Sequence, residues 1–226
     1  DEQKLEYPYQ LVRDGKWTMD LMFDYGKKAV TDLNGDTKID KNDRVGVLNW
    51  GFTGLGEALL TGCDAEIIKK DADGEPYFYC FTEQFETVYT KVLDFLTKDN
   101  VVYLGAGAPE FMSDHALFMV SSLVDASNLR EMKDDFGILP APMRDENQDK
   151  YYSYTNIGEI ATLPRSFDLS RAANVGMLLE AMCFYSQEHI VPTYKEVVVQ
   201  TKTTRDDESV EMLDYVFDGI SFDIGV

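Results

Sequence analysis

Apolar positions along this chain repeat with two periods, and the two alternate. After Trp17, residues Leu21, Met22, Tyr25 and Ala29 fall on one helical face, Thr18 is placed to cap the helix, and Asp20 sits in its first turn. A second helix is predicted from a Thr82 cap through Phe85, Val88, Tyr89, Val92, Leu93 and Leu96. Between them, VGVLNW (Val45 to Trp50) is a short apolar run of strand type, followed by the glycines of GFTGLG, read as a turn, and by the apolar segment EALLTG. The DADGE turn (Asp71 to Glu75) joins EIIKK to YFYCF as a hairpin. Three further strand-like runs are HALFMVSS, FGILPAP and the stretch from Tyr151 through EIATLP, with SNLREMKDD as a helix between the first two. MRDENQDK (Met143 to Lys150) reads as a charged surface loop. Near the end, one helix is predicted over about Leu169 to Ser186 and a shorter one from near Pro192. A last helix, opened by DDES, carries Val210, Leu213 and Phe217 on one face. Strands alternating with helices imply an α/β architecture, a mixed central sheet flanked by helices in one domain over residues 1–226.

Composition narrows the partners. With 44% apolar and 12% aromatic residues the chain can bury a core. Its 41 acidic and 21 basic residues leave a formal net charge of -20, which repels phosphate backbones and anionic lipid headgroups, so neither nucleic acid nor a membrane surface is an expected partner. No run of about 18 apolar residues is present to span a bilayer, and the N-terminal DEQKLEYPYQ lacks the pattern of a signal peptide, so an export signal would have to precede it. Cys63, Cys80 and Cys183 are too widely and irregularly spaced for a zinc site or disulfide framework and are read as small buried apolar residues, with a Cys63–Cys80 bridge as the alternative.

The short signatures of catalysis are missing: His115 and His189 are the only histidines, and no HExxH, GxSxG, CxxC or GxxxxGK[ST] occurs. GFTGLG and GAGA (Gly105 to Ala108) do not match a dinucleotide fingerprint and are read as loops. DLNGDTKIDKND is different. Asp32, Asn34, Asp36, the Lys38 carbonyl, Asp40 and Asp43 stand at positions one, three, five, seven, nine and twelve of a calcium-type loop, and Ile39 at position eight can anchor it to the core. A calcium ion takes about six to eight oxygens, which favours it over magnesium. Thr37 occupies the sixth position, where a sharp turn ordinarily calls for glycine. A closed site of this kind is structural and leaves no position for a substrate.

At WTMDLMFDYGKKAVTDLNGDTKIDKNDRVGVL the chain resembles the extracellular solute-binding proteins of carbohydrate ABC importers (family 1). DDFGILPAPMRDENQDKYYSY, ATLPRS with the helix ending EAMCFYS, and RDDESVEMLDYVFD are similar to later segments of that family. The resemblance implies a periplasmic-binding-protein-like (type II) α/β lobe: mainly the C-terminal lobe of a two-lobe receptor plus hinge-side helices, without the first-lobe N-terminal segment and the C-terminal segment. It also implies a carbohydrate ligand held between lobes, ABC permease subunits as partners, and an extracellular or periplasmic location with a lipidated anchor outside this chain. Such a protein is not an enzyme. Ligands of open α/β sheets lie beyond the carboxyl ends of the strands. The candidates there are Trp50, Phe52 and Thr53 after VGVLNW, Ser121 and Ser122 after HALFMVSS, and Tyr152, Tyr154 and Asn156 at the hinge approach. A secreted glycan-processing enzyme fragment and a calcium-stabilised surface adhesion module are the alternatives.

Overall fold

A computed structural model of the protein describes residues 5–155, 162–200, 206–223 and 225. Helix α1 (Pro8–Arg13), which the apolar pattern does not announce, begins with proline where a missing N–H costs nothing. Helix α2 (Met19–Ala29) follows, its Thr18 hydroxyl accepting from the Leu21 N–H at 3.4 Å. Met22, Tyr25 and Ala29 are buried as their spacing predicts.

Strand β1 (Val45–Asn49) is buried along its whole length, which explains why it reads as a continuous apolar run rather than an alternating one. Helix α3 (Phe52–Gly62) begins at once, so the turn expected over GFTGLG shrinks to Gly51, and Gly54 and Gly56 are helical. Each interior glycine costs about 1 kcal/mol of helix propensity. Burial of Leu55 and Leu59, 0% and 1% exposed, outweighs that cost. Strands β2 (Ile68–Lys70) and β3 (Pro76–Phe78) form the expected antiparallel hairpin, with Lys69 opposite Tyr77.

Helix α4 (Glu83–Thr97) is capped by Thr82, whose hydroxyl accepts from the Phe85 N–H at 3.2 Å. Its buried stripe is Val88, Val92, Phe95 and Leu96, while Tyr89 lies exposed and stacks on Phe85. Strand β4 (Val102–Leu104), helix α5 (Ala108–Met112), strand β5 (Ala116–Met119) and helix α6 (Leu123–Ala126) come next. The helix expected over SNLREMKDD is only a 3-10 turn over Ser127–Glu131.

FGILPAP runs without joining a sheet, because Pro140 and Pro142 supply no N–H to a ladder. It is tied down instead by Trp17, whose indole N–H donates to the Pro140 carbonyl at 3.0 Å, and by backbone bonds between Met143 and both Trp17 and Met19. Strand β6 (Ser153–Tyr154) is the short ordered part of the run from Tyr151, whose residues 156–161 lie outside the described residues. Helices α7 (Ala172–Tyr185) and α8 (Val191–Gln200) are joined by a π-helical turn. Helix α9 (Asp207–Asp218) is capped by Asp206 and buries Ser209, Met212 and Leu213, whereas Val210 and Phe217 of the predicted stripe are half-buried. Strand β7 (Ile220–Ser221) pairs in parallel with β6.

The architecture is α/β, as expected. Three parallel strands in the order β4-β1-β5, with Val47 opposite both Val102 and Phe118, are flanked by helices, and the antiparallel pairing lies in the separate hairpin. The core packs Trp17, Met22, Tyr25, Leu55, Leu59, Val88, Val92, Phe95 and Met212 around this sheet. No disulfide is formed among the described residues. Cys63 is buried as expected and its thiol is pushed up to about 12 by burial, but Cys183 is exposed on α7, a helix none of whose residues is buried. No helix of the described residues is long and apolar enough to cross a membrane.

Candidate functional site

The three strands run the same way, so their carboxyl ends open on one edge, and the chain turns there through Trp50, Gly105 and Ser121. Asn49 organises that edge. It is buried at the end of β1, its amide N–H donates to the Val120 carbonyl at 2.6 Å, and its amide oxygen accepts from Gly51 N–H at 2.9 Å. The Asn49 carbonyl also accepts from Gly105 N–H at 2.9 Å, which ties the ends of all three strands together. Trp50, the next residue, is thereby presented outward and is 64% exposed.

The indole of Trp50 lies over Gly107. A β-carbon built on Gly107 would stand 2.3 Å from the indole nitrogen, so only glycine allows the ring to lie there. Gly107 is held in turn by Glu110, whose carboxylate accepts its N–H at 3.0 Å, a bond that lowers the Glu110 pKa. Beside the ring a cavity of 320 Å³ is lined by Trp50, Ala108, Pro109, Met112, Met119, Ser121, Asp125 and Asn128. Its walls are mostly apolar with a few polar groups on one side, the usual chemistry of a small-molecule site, at the position where open α/β sheets bind ligands.

Ser121 and Ser122 converge on Asp125 rather than standing alone: their hydroxyls donate to one carboxylate oxygen at 2.5 and 2.9 Å, and Ser122 N–H donates to it at 3.3 Å. The Ser121 bond is the main reason the Asp125 carboxyl lies below its usual range, and the group is an anion at neutral pH. The apolar pattern does not single out Asp125 or Asn128. The spacing Ser122-x-x-Asp125 is a capping-box pattern that sequence reading can find.

Phe52 and Thr53 fall in the first turn of α3. Tyr152 and Tyr154 do not line the cleft: Tyr152 bonds Asp149 at 3.3 Å, and Tyr154 donates to Glu57 of α3 at 2.5 Å. Burial first, then the neighbouring carboxylates, pushes both phenols up to about 12. Asn156 lies outside the described residues.

In the acidic loop, one carboxylate oxygen from each of Asp32, Asp36 and Asp43 lies within 4.8 Å of the others. The side chains also hold the loop's backbone. Asp32 accepts from Gly35 N–H at 2.6 Å and Thr37 N–H at 2.8 Å, Asn34 from Asp36 N–H at 2.8 Å, and Asp36 from Lys38 N–H at 2.8 Å. Asp43 is fully buried, accepts from Leu33 and Asp40 N–H, and has its pKa lowered chiefly by the Asp40 bond. Asp40 turns toward Asn42 instead, at 2.8 Å from its N–H. Ile39 packs on the cluster of Val45, Leu48, Ala106 and Ala116.

Thr37 has φ of 68°, the left-handed conformation that a β-branched residue resists. Thr37→Gly is therefore expected to stabilise the fold by about 1 kcal/mol, relief of strain exceeding the entropy cost of glycine. A midpoint in urea unchanged or lowered by the substitution contradicts this.

No family model matches the chain, and no curated protein matches it. Among solved structures, the chain is similar to the maltose/maltodextrin-binding domain MalE from Bdellovibrio bacteriovorus bound to maltotriose, with 22% sequence identity and a TM-score of 0.44. The match covers 56% of this chain and 33% of that one, so the chain spans about a third of that structure's length.

Proposed function

We propose that the chain is the ligand-binding lobe of a carbohydrate receptor that delivers a mono- or oligosaccharide to ABC permease subunits in the cell envelope, outside the cytoplasm. The observation that carries the reading is Trp50, a wide aromatic face fixed on Gly107 at the carboxyl edge of a parallel sheet, beside an apolar cavity with hydroxyl, amide and carboxylate groups. Aromatic faces pack against the C–H faces of sugar rings, while Ser121, Asp125 and Asn128 offer donors and acceptors suited to hydroxyls. The segment resemblance set out in the sequence supports the same role. In a two-lobe receptor this lobe supplies one wall of the site, so its own affinity is weak, in the millimolar range. Titration of the purified chain with neutral mono- and oligosaccharides at millimolar concentration, followed by heat of binding, is expected to yield at least one saturable ligand. No saturable ligand across the panel contradicts the proposal, as does glycoside hydrolysis abolished by a single carboxylate-to-amide change.

The acidic loop has a second role in this reading: it binds one calcium ion as a clasp between α2 and β1. Asp32, Asp36 and Asp43 already converge, and Asn34, the Lys38 carbonyl and Asp40 stand at the remaining donor positions. The ion would supply charge neutralisation to the loop and no chemistry to the cleft. Calcium at about 100 times its Kd should raise the melting temperature by about 5–10 °C, through preferential binding to the folded chain, and Asp32→Ala should lose most of that rise. Identical melting of Asp32→Ala and wild type in millimolar calcium would rule the site out.

A further inference from the structure

Among the described residues, the charged group that lines the cleft is a carboxylate. Asp125 is ionised and lines the wall, and Glu110, also an anion, grips the loop on which Trp50 rests. Among the described residues, no lysine, arginine or histidine lines the cavity. Arg130, exposed two residues beyond Asn128, is not among the residues that line the cavity.

Backbone N–H groups at helix starts are the ordinary seats of phosphates and carboxylates. Helices α3, α5 and α6 all begin at this edge, and at each the chain's own groups take the N–H of the residue just before the helix: Asn49 on Gly51 N–H, Glu110 on Gly107 N–H and Asp125 on Ser122 N–H. What remains positive is the dipole of α3 with its first-turn N–H groups, worth about half an elementary charge, against the full negative charge of Asp125 in the wall; Glu110 adds a second charge behind the lining, offset in part by Lys41. The negative sign wins.

We infer that the cleft discriminates by charge: it admits neutral or amino-bearing saccharides and rejects those carrying a carboxylate, sulfate or phosphate, with Asp125 as the residue that sets this preference. The inference deepens the carbohydrate reading and rests on the cleft being the ligand site. Its local electrostatics are nevertheless measurable without any saccharide, because the chain has two tryptophans, Trp17 being 1% exposed and Trp50 64%. Collisional quenching by ions therefore reports on Trp50.

The experiment compares quenching by iodide and by caesium at about 0.15 M total salt, where charges beyond about 8 Å are screened, each normalised to the same ion acting on N-acetyltryptophanamide. The normalised iodide constant is expected to fall about two- to threefold or more below that of caesium. Asp125→Asn should close much of that gap, and Asn128→Lys, which leaves the Ser121–Asp125 turn intact, should close or invert it. Equal normalised constants for the two ions, or a gap that Asp125→Asn leaves unchanged, overturns the inference. In the saccharide panel, acid-bearing members should bind about threefold or more weakly than their neutral counterparts, and Asp125→Asn should reduce the difference. Acidic and neutral saccharides binding alike would defeat the charge preference while sparing the receptor reading. If no saccharide binds at all, the receptor reading fails and the ion comparison still decides the sign of the cleft.

Discussion

Gly46→Ala is expected to destabilise the chain by about 3 kcal/mol or more, a large share of the ~5–15 kcal/mol that holds a domain folded. Gly46 lies in the central strand, where α2 crosses it at Gly26. A β-carbon on Gly46 would stand 2.6 Å from the Gly26 α-carbon and 2.5 Å from a methyl of Val101, a residue that is itself 0% exposed. The first clash is with backbone, so no rotamer change relieves it, and α2 must move off the sheet. That displacement opens the packing of Trp17, Met22 and Tyr25, which belong to the same core cluster. Gly56→Ala provides the internal control. Among the described residues its new β-carbon would meet only Leu96 at 3.9 Å, an ordinary contact, within the interior of α3. There the substitution should stabilise by about 0.5–1 kcal/mol through helix propensity. Urea melts of the two variants should therefore move in opposite directions, and a Gly46→Ala midpoint equal to wild type would mean that α2 and β1 do not approach as closely as described.

Trp50→Ala should lower saccharide affinity by about 10- to 100-fold while leaving the melting temperature within about 2 °C of wild type. The asymmetry follows from burial. With 64% of its surface exposed, Trp50 contributes little to the core, whereas an aromatic wall in a site carries roughly 1.4–2.8 kcal/mol of binding, which is that loss in affinity. Gly107→Ala should reproduce part of the loss without touching the ring, because its β-carbon would displace the indole from its seat. An affinity loss accompanied by an equal loss of stability would instead mark Trp50 as a structural residue.

Much of this organisation was legible from local signals. Thr18 and Thr82 cap the helices that their positions announce, Asp206 caps α9, and DADGE closes a hairpin. Such features need only neighbours in sequence. GFTGLG reads as a turn because glycine's low helix propensity is a local signal, whereas the burial of Leu55 and Leu59 that overrides it depends on the whole fold. FGILPAP has the apolar content of a strand but lacks two of the N–H groups a ladder requires, a loss its prolines already advertised. Strand β4 is three residues long and carries too little pattern to detect. Within the cleft, Trp50 and Ser121 were readable as ends of apolar runs. Asn49, Gly107 and Asn128 were not, since their roles come from the side-by-side placement of β4, β1 and β5, which no single segment encodes. Tyr152 and Tyr154 are candidates through their place at the hinge approach, which does not say which wall a strand faces.

Trp50 forms one wall of the proposed saccharide site. Its emission tests this most directly, because Trp17 is buried and the other tryptophan stands in the cleft. Saturation with the tightest-binding neutral saccharide should shift Trp50 emission to shorter wavelength and shield it from acrylamide, and Trp50→Phe protein should show neither change. A saccharide that binds saturably while leaving the wavelength and quenching of Trp50 unaltered would place the ligand elsewhere and contradict the account.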